Sequence, residues 1–188
     1  MKRLIWLLAL PATAAELHVH FTALERVLAS QVFTQEGRRY VKGSKATKCS
    51  FAYLENPKIG EVNGRVRIDA RFTGRSAASV FGKCVGLGDS FNLTIAAAPV
   101  YQDGYLLLKH IEVASSRDSY YIRRVRRALA QSLAADFRYK VSDDAKRMLE
   151  QNQNGALYRQ ELVQFQVSQV RVTRQAVVLA VDFQLAVK

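Results

Sequence analysis

The chain has 188 residues, with 28 Lys and Arg against 16 Asp and Glu, and a formal net charge of +12. Hydrophobic residues make up 49% of it, which is enough to bury a real hydrophobic core and excludes a low-complexity chain. A charge this positive attracts anionic partners. The alternative is that it only keeps a β-rich protein soluble.

The first fifteen residues are typical of a secretory signal peptide. A basic start, an apolar run at residues 4–10, a helix-breaking proline and small residues follow one another. The run is too short to span a bilayer. Cleavage after Ala14 or Ala15 would remove two positive charges and leave a net charge of about +10. We therefore expect residues 1–15 to be a signal peptide and residues 16–188 to be one secreted domain, the alternative being a retained anchor.

The expected mature part begins with a strand followed by a helix. Residues 17–21 alternate between apolar and polar side chains, which predicts a short strand. Thr22 and Glu25 then have the spacing of a capping box, in which two side chains cap the first turn of a helix. Weaker patterns predict two further strands and one turn, at residues 39–42, at residues 50–54 and at Asn56-Pro57.

The middle of the chain predicts antiparallel strands. Apolar side chains occupy every second position of residues 66–72 and arginines occupy positions between them, which is typical of a half-buried strand. A glycine-rich interval separates this strand from a second alternating strand at residues 91–97. The turn Gln102-Asp103-Gly104 then returns the chain along residues 105–113, so the last two strands form a hairpin.

The last third predicts a long helix and a second hairpin. Apolar side chains recur every three or four residues within residues 118–137, which predicts a helix with one apolar stripe. A shorter helix is expected at residues 143–151, and alternating strands around residues 163–167 and 177–185 form the hairpin. This order predicts an α+β fold in which a curved antiparallel β-sheet wraps around the long helix. The stripe consists of Ile122, Val125, Leu129, Leu133 and Phe137.

The only two cysteines are Cys49 and Cys84. An oxidising compartment allows such a pair to form a bridge, and so we expect a disulfide. Closing a loop of about 35 residues stabilises the folded state by about 4 kcal/mol in the chain-entropy model. A redox-active pair would sit closer together, as in Cys-x-x-Cys, so the expected role is structural.

Loose hydrophobic motifs in the middle of the chain occur in a characteristic order. They are Ser79-Val80-Phe81-Gly82, the strand end Ala98-Pro99-Val100-Tyr101, Gly104-Tyr105-Leu106-Leu107-Leu108-Lys109 and Ile111-Glu112-Val113. With the helix after Thr22 and the helix before Phe137, they resemble small Gram-negative envelope lipoproteins of the tubular lipid-binding (TULIP, or BPI-like) superfamily. The resemblance covers most of the mature chain. It implies a TULIP-like half-domain with an apolar groove for acyl chains and no assigned catalytic residues.

The chain differs from those lipoproteins at the cleavage point. They carry a lipid-modified cysteine there, whereas this chain has Ala14 and Ala15. The resemblance therefore implies a soluble periplasmic protein without a lipid anchor. Cys49 and Cys84 are not part of that family's pattern, so the loop between them is expected to have a different shape.

The apolar strand faces and the resemblance both indicate a ligand groove between sheet and helix. An apolar sheet face must be buried, and a helix either fills the space completely or leaves room for a ligand. The expected partner is a lipid or another hydrophobic small molecule, and the alternative is a filled core. The groove candidates are Val66, Ile68, Phe72, Phe91, Leu93, Ile95, Val125, Leu129, Leu179, Val181 and Phe183.

Arginines on the far side of the long helix form a second candidate surface. Guanidinium groups bind phosphate through two points, and Tyr120 and Tyr121 favour an interface, so contact with anionic membrane headgroups is expected. The alternative is a solvated helix face. The same alternatives apply to a second basic row, Arg65, Arg67, Arg71 and Arg75, on the outer face of a strand. The helix candidates are Arg123, Arg124, Arg126 and Arg127.

Signatures of catalysis are missing from the sequence. It has no Gly-x-Ser-x-Gly elbow, His-Glu-x-x-His helix, phosphate-binding loop or Cys-His spacing, so we expect neither an enzyme nor a cofactor. No metal site is expected, although cleavage after Ala15 would leave Glu16-Leu17-His18, a terminus that can chelate Cu(II) or Ni(II). The main alternative function is a basic protein-interaction module of the cell envelope with a filled core. Nucleic-acid binding is not expected of an exported chain.

Overall fold

Antiparallel strands dominate the computed structural model, which describes residues 15–117, 120–150 and 158–188. The predicted signal peptide thus lies outside the described residues except for Ala15. The strands are β1 (Ala15–His20), β2 (Arg38–Lys42), β3 (Ser50–Val62), β4 (Arg65–Val80), β5 (Lys83–Gln102), β6 (Tyr105–Ser115), β7 (Arg138–Lys140), β8 (Gln160–Val172) and β9 (Ala176–Val187). The helices are α1 (Phe21–Gln31), α2 (Tyr120–Asp136) and α3 (Val141–Glu150).

The described strands form two antiparallel sheets. One sheet has six strands in the order β2-β3-β4-β5-β6-β7, and the other has three in the order β1-β9-β8. The predicted hairpins are confirmed, since β5 pairs with β6 and β8 pairs with β9. Asp103 and Gly104 both have positive φ in the β5–β6 turn, 52° and 85°, as a two-residue hairpin of type I′ requires.

The six-stranded sheet curls into a half-barrel. Helix α2 packs on β6 and also contacts β2, although three strands separate β2 from β6. Arg39 of β2 fixes the second contact, because its guanidinium lies 2.7 Å from a carboxylate oxygen of Asp136 and donates to the Ser132 hydroxyl at 2.5 Å. At the end of α1, the Gln31 amide exchanges two hydrogen bonds with the backbone of Arg138 in β7. The helices therefore lie on the concave side of the sheet.

The hydrophobic core lies between this concave face and the helices. Side chains on the inner face of β4 and β5 are almost fully buried, as the alternating pattern predicts. The same cluster takes in residues of the three-stranded sheet, so one core joins the two sheets. Its members include Val66, Ile68, Phe72, Leu93 and Ile95 of β4 and β5, Leu24 and Leu28 of α1, Leu129 and Leu133 of α2, and Val177 and Leu179 of β9.

The described residues form mostly antiparallel β-structure with three short helices, which agrees with the predicted α+β class, but they do not show one long helix enclosed by the sheet. Helix α1 has 11 residues and α2 has 17, and both contribute to the same core. The predicted start of α2 at residue 118 lies outside the described residues. Helix α3 confirms the shorter helix, and it begins two residues earlier than predicted.

Two local predictions are wrong. Asn56-Pro57 is not a turn, because β3 continues to Val62 through a bulge between Glu55 and Lys58. Asn56 has a φ of 55° there, a conformation that asparagine tolerates in bulges as well as in turns. The capping box is also absent. Helix α1 begins at Phe21 without a side-chain cap, and the Glu25 carboxylate instead accepts a hydrogen bond from the Ile59 backbone N–H at 2.9 Å.

The glycine-rich interval is part of the sheet and not a loop. β4 and β5 stay paired from Gly74 and Asp89 up to Val80 and Lys83. We call this paired extension, residues 74–89, the arm. A Cβ atom at Gly86 would overlap the backbone of Ser76 and Ala77, so glycine permits the close approach of the two strands. Phe81 and Gly82, both at positive φ, form the tip.

The buried stripe of α2 gives a direct stability prediction. Leu129→Ala leaves a cavity in the core and should lower the free energy of unfolding by about 2–5 kcal/mol. Leu87→Ala is the matched control, because Leu87 is largely exposed on the arm and its truncation should change stability by less than about 0.5 kcal/mol. Chemical denaturation measures both. Equal losses for the two variants would contradict the position of the core.

Candidate functional site

The arm continues the apolar face of the core beyond the helices. Since strand side chains alternate, the face that carries Phe72 and Phe91 in the core carries Ser76, Ala78 and Val80 farther along β4. Their partners on β5 are Leu87, Val85 and Lys83. Apart from Ser76, and Asp89 opposite Gly74, the inner face of the arm is therefore apolar up to its last pair.

The described structure leaves this face uncovered. The exposed fraction is 86% for Leu87, 61% for Val85 and 44% for Val80, and Phe81 at the tip is fully exposed at 101%. Scattered exposed apolar residues are ordinary, whereas large contiguous apolar patches are typical of interaction surfaces. The exposed apolar residues of the arm are contiguous, which makes the arm a candidate interaction surface.

A cleft of about 480 Å³ lies at the base of the arm, between the sheet and the start of α2. Phe72 and Phe91 pack with ring centroids 4.8 Å apart and form part of its wall. Leu87 contributes from the arm and Ile122 from α2, so apolar side chains come from both sides. We call it the sheet–helix cleft. The remaining lining residues are Gly74, Ser76, Gly88, Asp89 and Arg117.

An ion pair at the rim and three arginines of α2 lie on the helix side of the cleft. Arg117 donates to the Asp89 carboxylate at 2.7 Å on the exposed rim. On α2, Arg123 and Arg127 are exposed and Arg126 is partly buried. Arg126 lies four residues after Ile122, and so one turn along the helix from the cleft. The side chains of Tyr120, Tyr121 and Arg124 lie outside the described part of the chain.

The predicted groove residues occupy three places in the structure. Phe72 and Phe91 line the sheet–helix cleft. Val181 and Phe183 line a smaller apolar depression of about 160 Å³ on the three-stranded sheet beneath α3. Side chains in the core, buried together behind the cleft, make up the third group: Val66, Ile68, Leu93, Ile95, Val125, Leu129 and Leu179.

The smaller depression combines apolar side chains from α3 and from the strands it covers. Leu17 of β1, Leu149 of α3 and Phe165 of β8 line it together with the partly exposed Phe183. Beside it, the phenol of Tyr139 donates a hydrogen bond to the Asp144 carboxylate at the start of α3. Burial and this hydrogen bond raise the pKa of Tyr139 above its ordinary value.

The outer row of arginines does not extend the α2 cluster. It occupies the convex face of β4, opposite the helices, and its members have partners. Arg65 lies 2.9 Å from a Glu112 carboxylate oxygen and Arg67 lies 3.0 Å from that of Asp69. Arg71 and Arg75 donate to the Ser90 hydroxyl and the Cys84 carbonyl at 2.9 and 3.2 Å. The two basic rows thus face opposite sides of the sheet.

The predicted disulfide is confirmed and fastens the arm. Cys49 and Cys84 are bridged, with their Cα atoms 5.1 Å apart. Cys84 pairs with Ser79 near the tip, whereas Cys49 immediately precedes β3. Since β3 pairs with β4 only up to Ser76, the bridge ties the outer arm to the adjoining strand beyond their last paired residues.

Glu16-Leu17-His18 lies within strand β1, and this position disfavours the formation of a copper or nickel chelate. The Arg171 hydrogen bond, at 2.6 Å, lowers the pKa of Glu16, and the His18 ring 3.2 Å away also lowers it. Leu17 and His18 both pair with β9. Successive strand amides point in opposite directions, so a chelate that uses both amides would remove a hydrogen bond from the ladder. The described residues contain no cluster of three His, Cys, Asp or Glu side chains suited to a metal ion.

Sequence reasoning missed the exposed apolar residues of the arm. The available signal was the alternation, which is interrupted at Asp89 but resumes at Leu87 and Val85. The neighbouring glycines and serines resemble a loop when only local composition is considered.

No protein-family model, curated protein sequence or solved structure matches the chain. Within the described ranges, no helix is long and apolar enough to cross a membrane.

The position of the disulfide gives a local prediction. Replacing both cysteines, with Cys49→Ser and Cys84→Ser, should speed amide hydrogen exchange in the arm more than in the core part of β4, because only the arm loses its tether. The loss of global stability should be on the order of 4 kcal/mol or less. Hydrogen–deuterium exchange measures both regions in one experiment. Unchanged exchange in the arm would contradict this role.

Proposed function

We propose that the protein binds a lipid-like ligand, with the acyl chain in the sheet–helix cleft and the headgroup at the arginines of α2 beside it. The observation that carries this proposal is the cleft itself. Its apolar wall, formed by Phe72, Phe91 and Leu87 on the sheet and Ile122 on α2, adjoins Arg117 at the rim. An amphipathic ligand needs this combination of an apolar cavity and a few placed polar groups.

The volume of the cleft fits part of a lipid. About 480 Å³ is within the usual range of small-molecule sites, roughly 300–1,000 Å³. Behind it, Leu93 and Leu129 are fully buried, and opening a packed core costs free energy. A short chain would occupy the cleft alone, whereas a longer chain would have to displace these core side chains and enter the groove predicted from the sequence.

The headgroup is proposed to be anionic. Arg123 and Arg127 are exposed on α2, and arginine binds phosphate through two parallel hydrogen bonds. After removal of residues 1–15, which carry Lys2 and Arg3, the net charge of about +10 adds a long-range attraction towards anionic lipid. Peripheral contact of this helix with an anionic membrane surface is part of the proposal.

The proposed setting is the Gram-negative periplasm, and the proposed family is the TULIP superfamily. The leader-like residues 1–15 support export, and a disulfide is typical of an oxidising compartment. The curled antiparallel sheet with helices on its concave side agrees with a TULIP-like half-domain. The family resemblance of residues 79–113 supports the same interpretation.

The fully buried core also favours a second candidate function. Ile68, Leu93 and Leu129 are excluded from solvent, so the chain already has a filled core in the absence of a ligand. In this alternative the protein is a basic interaction module of the cell envelope that docks on an acidic protein without binding lipid.

Filling the cleft with an indole ring separates the two functions. Ser76→Trp places a large side chain inside the cleft and should weaken binding of a soluble fluorescent fatty acid by at least about tenfold, because each lost methylene contact is worth about 0.8 kcal/mol. Ser79→Trp is the matched control, because Ser79 lies on the opposite face of the same strand. Fluorescence titration measures both. Equal affinities for the two variants would contradict the cleft as the site, and no binding by the unmodified chain would favour the interaction module.

The affinity for a fatty acid should depend on the length of its acyl chain up to the point where the cleft is full. Each methylene added to a short saturated fatty acid should tighten binding about fourfold while the chain fills the cleft. The gain should stop once the chain reaches the packed side chains of Leu93 and Leu129. Calorimetry across a series of fatty acids measures the break. Affinity independent of chain length from the shortest member onward would contradict acyl-chain burial.

A further inference from the structure

The tip of the arm is the most exposed apolar feature of the described structure. Phe81 stands at a two-residue turn with its side chain wholly in solvent, and Val80 precedes it. Val80 lies four residues beyond Ser76, which is the last residue of β4 that pairs with β3. At about 3.3 Å per residue, the tip therefore projects about 13 Å beyond that pairing.

Basic residues predominate in the arm and in the segment bridged to it, and Asp89 at the base of the arm is paired with Arg117. Residues 70–88 and the segment at residues 42–50, which the disulfide joins to the arm, contain no Asp or Glu. Lys45 pairs with Glu36 from outside these segments, and the remaining basic side chains leave the region strongly cationic. The six basic residues in the two segments are Lys42, Lys45, Lys48, Arg71, Arg75 and Lys83.

An apolar tip near these six basic residues, which we call the cationic collar, is best matched by an anionic membrane surface. An anionic bilayer offers acyl chains for Phe81 and lipid phosphates for Lys83 and Lys48, each basic residue near such a surface being worth about 1 kcal/mol. Apolar groups of peripheral proteins enter the boundary between headgroups and acyl chains by about 5–10 Å, which is less than the projection of the tip.

We propose that the arm inserts Phe81 and its apolar neighbours into the surface of an anionic bilayer. This contact is distinct from the one proposed for the α2 arginines, since it uses another element and apolar insertion. The inner face then leads from Val80 through Val85 to Leu87, which lines the sheet–helix cleft. An acyl chain leaving the bilayer would thus remain against apolar side chains until it enters the cleft, and this last role rests on the proposed function.

The disulfide makes the arm suitable for insertion. The two strands of the arm pair with each other. Beyond Ser76, β4 no longer pairs with β3, and before Leu93, β5 does not pair with β6. An isolated two-stranded hairpin is only marginally stable in water. The bridge from Cys84 to Cys49 holds the arm to the body of the protein, so the tip is preorganised before it meets the membrane.

A single tryptophan at the tip tests insertion directly. The only tryptophan of the chain is Trp6, which the proposed cleavage removes, so the mature chain is a tryptophan-free background in which Phe81→Trp reports from the tip alone. Vesicles of phosphatidylcholine with phosphatidylglycerol should shift its emission to shorter wavelength, and brominated acyl chains should quench it. Val163→Trp in the same background is the matched control, because Val163 is 63% exposed on the other sheet. Its emission should change in neither respect.

Charge reversal tests the cationic collar. Lys83→Glu in the Phe81→Trp chain should weaken the response to anionic vesicles several-fold, and salt should weaken the response of the unreversed chain. Lys109→Glu is the control, since Lys109 contacts Gln102 at the opposite end of β5. Insertion would be overturned if the emission of the tip tryptophan did not change when anionic vesicles were added. It would also be overturned if that emission shifted with protein concentration alone, which would indicate contact with a second copy.

Ligand binding without vesicles keeps this inference separate from the proposed function. Phe81→Asp should abolish vesicle binding by the tip while leaving the affinity for a soluble fatty acid within about twofold, because Phe81 does not line the cleft. If the tip inserts into vesicles but the protein binds no fatty acid, insertion is supported and the cleft is refuted as a lipid site. Fatty-acid binding without any tip response would support the cleft and refute insertion.

Discussion

The apolar inner face shared by β4 and β5 is longer than the helices that cover it. At the core end, α1 and α2 bury this face completely around Ile68 and Leu93. Towards the turn, the pairing and the alternation continue while the cover ends near Ile122. Exposing apolar surface to water costs about 25 cal/mol per Å², so the uncovered part of the face is the place where a ligand or membrane would stabilise the protein most.

This uncovered face has a regular structure of its own. Strand pairing, the glycine at position 86 and the Cys49–Cys84 bridge maintain the arm in an extended form. The cleft lies where the covered and uncovered parts meet, beside the arginines of α2. The proposed binding of an acyl chain and the proposed contact with a bilayer therefore both depend on one feature, a sheet face that the helices cover only in part.

Much of the core could be predicted from sequence because alternation is local. The pattern around Ile68 requires only that side chains of a strand point to opposite faces. The arm depended on tertiary pairing, which glycines and serines do not reveal, and Asn56-Pro57 fits a bulge as well as a turn. Placing Phe91 at a cleft required knowing where α2 begins. Phe183 is partly exposed because β9 extends beyond its most buried residues.

Lipid binding can be tested by native mass spectrometry of the protein purified from its producing cells. We expect a polypeptide mass two hydrogens below the reduced value, owing to the disulfide, together with a non-covalent adduct of one acyl lipid per chain. The same spectrum defines the amino terminus and so tests cleavage after Ala14 or Ala15. A bare polypeptide that stays unliganded when phospholipids and fatty acids are added would refute lipid binding in the cleft.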